Sequence, residues 1–171
     1  VLSADPALTS LTLVTTCLAA AAGGISAALT SKIAYNNLDL TMFMNGVLGG
    51  LVGITAGADQ MLPMSAILIG AIAGPIIVAG VAILDKCKLD DPVGAIPVHL
   101  FCGIWGTLAV GLFGAMKGFE QFMVQLACVG IAGAFCVIAG SIIVLGVKKT
   151  AGLRVDEAEE DKGLDLAEHG S

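Results

Sequence analysis

Short polar stretches divide the chain into five long apolar segments, roughly residues 8–29, 40–58, 62–84, 92–116 and 119–147. Each is long enough to cross a hydrocarbon core of about 30 Å at about 1.5 Å per residue. In lipid a lone apolar segment must be helical, because only then does every backbone N–H and C=O find a partner within the segment. The pattern predicts an all-α integral membrane protein, with five transmembrane helices within residues 1–147 and a polar tail over residues 148–171. Glycines recur at i+4 within these segments, as Gly46 with Gly50, Gly49 with Gly53 and Gly57, and Gly70 with Gly74. Such spacing predicts helix faces in close contact.

Composition narrows the class further. Hydrophobic residues make up 57% of the 171 and charged residues 13%, too few to cover a soluble globule. A soluble enzyme, a disordered chain and a basic nucleic-acid binder are excluded. The net charge of −6 is unevenly placed, since residues 148–171 hold seven acids and four basic residues. If connections alternate sides, one side receives Lys32, Lys86, Lys88, Lys148, Lys149, Arg154 and Lys162, and the other only Lys117. The excess of basic residues predicts a cytoplasmic C-terminus and an N-terminus outside. Tyr35 falls near the cytoplasmic interface, as an aromatic anchor. The five cysteines include no CxxC and four lie in apolar runs, so they read as buried small apolar residues, with no disulfide framework and no metal site. The first residue is Val and no signal peptide is visible. A processed chain or a piece of a longer one is expected.

Polar residues inside apolar spans are costly and so carry the chemistry. His99 stands about seven residues after Pro92, about 10 Å along its helix. At α-helical spacing Ala95, Cys102, Gly103 and Gly106 share its face, while Phe101, Trp105, Leu108 and Leu112 form a separate bulky stripe read as packing or lipid contact. His99 is either a hydrogen-bonded packing residue or a pathway residue. Neutral imidazole offers one donor and one acceptor to a small polar molecule in a dry channel, and histidine relays protons readily. Asn45 bonds either a permeant or a neighbouring helix. Thr55 suits a bond to its own backbone. Asp90, Asp91 and Pro92 suit the start of the fourth helix, where carboxylates meet the positive helix end. No nucleotide loop, metal-ligand cluster or nucleophile–base pair occurs, so neither an enzyme nor a cofactor is expected.

The run DDPVGAIPVHLFCGIWGTLAVGLF (90–113) resembles the ammonium transporter (Amt/Mep/Rh) family, in particular its Amt branch. NGVLGGLVGITAGAD (45–59) is similar to that family's eighth helix, and GLRV (152–155) and GLDLAEHG (163–170) to its tails. The resemblance is collinear over nearly the whole chain. It implies the last five helices and the tail of an eleven-helix inverted-repeat transporter, assembled as a homotrimer in the cell membrane with a pore in each subunit. His99 matches one of two stacked pore histidines, whose partner lies on a helix outside this chain. Asn45 matches a position lining the cytoplasmic vestibule, and Thr55 and Ala95 match positions near the pore. Gly152, Leu153, Arg154 and Val155 match the part of a regulatory tail nearest the membrane, onto whose cytoplasmic face a PII-type signalling protein docks in many prokaryotic members. Ammonium, carried as ammonia, is the implied substrate. The alternatives are a Rh-like gas channel, disfavoured by the GIWGT context, and an ammonium sensor or non-conducting membrane subunit acting through its tail.

Overall fold

Aspartates start the first two helices by accepting the backbone N–H groups that a helix leaves unpaired in its first turn. Asp5 Oδ1 accepts from Ala7 N at 2.9 Å and opens α1 (Pro6–Tyr35). Asp39 Oδ1 accepts from Met42 N at 2.9 Å and opens α2 (Leu40–Thr55). α3 (Pro63–Cys87) begins on a proline, where a missing N–H costs nothing, and ends on Lys88 in the left-handed conformation. A π-turn (Ile96–Phe101) leads into α4 (Cys102–Phe113). α5 (Phe119–Thr150) and the short α6 (Glu157–Lys162) follow. The structure, a computed structural model, describes residues 4–164 and 166. The chain forms two units, Val1–Val129 and Gly130–Ser171.

Among the described residues, four helical stretches are long and apolar enough to cross a membrane: Pro6–Tyr35, Pro63–Cys87, Ile96–Phe113 and Phe119–Thr150. α2 differs from the predicted 40–58. At 16 residues it spans about 24 Å, because Gly57–Gln60 form turns instead of extending the helix. The fourth segment also differs: helix begins at Ala95, since Gly94 adopts φ +74°.

In the first unit α1 packs on α2 and α3, and α2 packs on α3 and α4. The glycine stripes set these contacts. A Cβ on Gly23 would meet the Gly46 carbonyl, and one on Gly50 or Gly70 would meet the Ala19 carbonyl. Hydrogen there lets backbones approach, which side chains of any size would prevent. The contacts fix direction as well. Gly23 faces Gly46 and Thr15 Oγ1 donates to the Ala58 carbonyl at 2.7 Å, so α1 and α2 are antiparallel. Gly106 meets Gly53 while Gly94 meets Asn45, so α2 and α4 run parallel. Trp105 Nε1 donates to the Ile69 carbonyl at 3.0 Å and ties α4 to α3. Ile54, Met61, Ile69 and Ala109 fill the main core, with Trp105 packed against it; Ala73, Ile77, Val98 and Cys102 form a second cluster.

The cysteine expectation needs correction. Only Cys102 is buried, and Cys17, Cys87, Cys128 and Cys136 are exposed. A membrane helix can be apolar all round, so an apolar run does not show which face is inside. In the second unit the end of α5 is followed by Gly152 at φ +80°. The acidic run is ordered as α6, and Arg154 forms an ion pair with Glu160. α6 is exposed along its whole length. The second histidine, His169, and most of the 163–170 motif lie outside the described residues.

Candidate functional site

The helix carrying His99 starts on a fully occupied set of donors. Asp91 Oδ1 accepts from Ala95 N and Asp91 Oδ2 from Ile96 N, both at 2.8 Å. Pro97 has no N–H to satisfy. Val98 N donates to the Gly94 carbonyl at 3.1 Å. The expected acidic cap therefore exists, displaced to a helix that begins four residues after Asp91.

A second tie comes from α2. Asn45, only 7% exposed, donates through Nδ2 to the Val93 carbonyl at 3.1 Å. Asn45 accordingly bonds a neighbouring segment, one of its two sequence readings. Thr55 Oγ1 donates to the Leu51 carbonyl at 2.6 Å, the backbone bond expected of it. Because α2 and α4 are parallel, Asn45 lies beside the start of the His99 helix and Thr55 lies further along, past His99.

His99 and Ala95 are both exposed on the surface of this chain, whereas Cys102 and Gly106 are buried. The predicted shared face of His99, Cys102 and Gly106 is thereby overturned. A π-turn winds more residues per turn than an α-helix, so α-helical spacing does not carry across Ile96–Phe101. The His99 imidazole makes no hydrogen bond among the described residues, while the His99 carbonyl accepts from Cys102 N. Its imidazole thus stands on an accessible face, next to Ala95 in sequence register, with both ring nitrogens available. Cys102 points the other way, its Sγ 3.8 Å from the Ala73 carbonyl. Phe101 packs on Gly80, in line with a packing stripe. Sequence reasoning missed the π-turn and the Val93–Gly94 contact. A glycine three residues before Pro97 was the available signal. Among the described residues no cluster of His, Cys, Asp and Glu could hold a metal ion.

The sequence model of the Ammonium Transporter Family matches residues 1–171. The chain belongs to the ammonium transporter family. Ammonium transporter Amt2 of Archaeoglobus fulgidus is 38% identical over 187 residues, covering 99% of this chain and 40% of that protein. Ammonium transporter Amt2 of Methanocaldococcus jannaschii is 34% identical over 168 residues, covering 95% and 39%. A solved structure described as a sensor Amt protein superposes with a TM-score of 0.89 at 33% identity, covering 98% of this chain and 43% of that one. Candida albicans Mep2, at 24% identity and TM-score 0.83, shares the fold. The chain spans about two-fifths of the length of the curated relatives it matches. As a member of this family of transporters, with apolar helices of spanning length, it is an integral membrane protein.

Proposed function

We propose that this chain is the C-terminal half of an ammonium transporter and supplies one wall of a hydrophobic pore. Family membership over the whole chain, together with His99 on an accessible helix face, is the observation that carries this reading. Ammonium gives up a proton to water at the pore entrance, and ammonia, with or without a separately relayed proton, passes along a histidine pair of which His99 is one member. The neutral ring accepts from ammonia at one nitrogen and donates from the other, which replaces lost water contacts in a dry passage. Ala95 and Thr55 lie along the same wall, Asn45 at its cytoplasmic end. The intact protein works as a homotrimer, with its C-terminal tail in the cytoplasm as a regulatory segment and its cytoplasmic face as the docking surface for a PII-type regulator. Methylammonium uptake by cells lacking their own ammonium transport tests this. Saturable uptake competed by ammonium is expected, and no uptake by a correctly inserted protein overturns it.

The likeness to a sensor Amt protein favours a second reading, ammonium sensing through the tail. Binding of ammonium without uptake, coupled to a change in tail accessibility to protease, would decide for sensing.

A further inference from the structure

We propose that Asn45 is a positioning residue for His99, acting through the backbone of Val93 and Gly94. Its effect on flux rests on the transport reading above; its effect on the His99 helix does not. Asn45 sits on α2, yet its amide donates to the carbonyl of Val93, 48 residues away in sequence. The next residue, Gly94, has φ +74°. A Cβ there would lie 2.6 Å from Asn45 Nδ2. The amide therefore occupies the space that any other residue at position 94 would need. The Gly94 carbonyl in turn accepts from Val98 N, the residue before His99. Two successive carbonyls thus connect a side chain of α2 to the turn that holds the imidazole.

Asp91 does a different job. Its two bonds stay within the segment, to Ala95 and Ile96, and so shape the turn without anchoring it elsewhere. Among the described residues, no other side-chain hydrogen bond joins residues 91–101 to α2. Removing the Asn45 donor leaves the turn capped but free to shift on α2, and His99 shifts with it. A buried packing asparagine with no such role would be replaceable by an apolar residue of similar size.

The test compares the intact transporter with its Asn45→Leu variant, which keeps the volume and loses the donor. Amide hydrogen exchange, read by mass spectrometry, should be roughly 2- to 10-fold faster over 93–102, the effect of losing one neutral hydrogen bond. Exchange within α3 should stay the same. The imidazole ¹⁵N resonances of His99, assigned with His99→Gln, should move. Methylammonium uptake should fall at saturating concentration. Unchanged exchange over 93–102, unmoved His99 resonances, or faster exchange spread evenly over all helices would each overturn the proposal. Gly94→Ala provides a second route to the same contact. Because both changes break one clamp, the double variant Asn45→Ala, Gly94→Ala should exchange more slowly than the product of the effects of Asn45→Ala and Gly94→Ala measured singly. A simple product overturns the proposal. Exchange and resonance need no transport, so a protein that moves no methylammonium would count against the proposed function and leave these readouts decisive.

Discussion

A single carboxylate serving two backbone donors makes Asp91 the most exacting residue at the start of the His99 helix. Asp91→Ala strands both N–H groups and should destabilise the intact protein by about 1–2 kcal/mol, the usual cost of losing a helix cap. Asp91→Asn keeps one acceptor oxygen and should lose about half as much. Thermal unfolding in mild detergent measures both, and an Ala variant as stable as the parent would contradict the cap. His99 behaves differently, since its side chain makes no hydrogen bond among the described residues. His99→Ala in the intact transporter should keep the fold and abolish or alter selective methylammonium uptake. Unchanged uptake and selectivity would remove His99 from the pathway. The two polar residues of α2 show what the sequence could reveal. Thr55 bonds Leu51, four residues back, and local spacing exposes such a bond in advance. The Asn45 partner lies on another element, so only assembled helices reveal it.

Helix contacts repeat this contrast between local and assembled information. Glycines at i+4 marked the packing stripes of α2 and α3 from the sequence, and Gly46, Gly50 and Gly70 do lie against backbone of α1. Spacing did not say which glycines are indispensable. A Cβ on Gly50 would press on the Ala19 carbonyl, which cannot rotate aside, whereas one on Gly53 would meet Ile69 Cγ2 at 3.4 Å, ordinary contact. Gly50→Ala should therefore destabilise the protein by about 1–3 kcal/mol through overpacking. Gly53→Ala should be neutral, or stabilising by up to about 1 kcal/mol through better helix propensity. Equal unfolding temperatures for the two variants would show that the α1–α2 seam yields. The π-turn was hidden for a related reason. Hydrophobic periodicity registers a run of helix but not one turn wound more widely, and that turn decides which side of α4 carries His99.

Large apolar side chains stand exposed along the membrane-length helices, and α5 has no buried residue at all. At the scale of the whole molecule, such exposed apolar surface suits an integral membrane protein, and the chain spans about two-fifths of its relatives' length. Helix number and order were legible because hydropathy reports the solvent directly; which faces meet protein was not, as the exposed Cys17 and Cys128 show. The tail is the part of the molecule most open to a cytoplasmic partner under the proposed orientation. α5 gives way at Gly152, whose φ of +80° suits glycine and turns the chain. Arg154 then pairs with Glu160 on α6, holding Leu153, Val155 and Leu164 around one small hollow. This is a folded element, although a surface ion pair contributes little and is screened by salt. Truncation after Thr150 removes all of it while leaving every membrane-length helix intact. The truncated protein should fold and insert normally, with altered methylammonium uptake or altered response to a PII-type regulator. Arg154→Ala should shift uptake in the same direction by a smaller amount, because it opens the hollow without deleting the segment. Identical uptake by truncated and intact protein, with and without the regulator, would reduce the tail to a dispensable end.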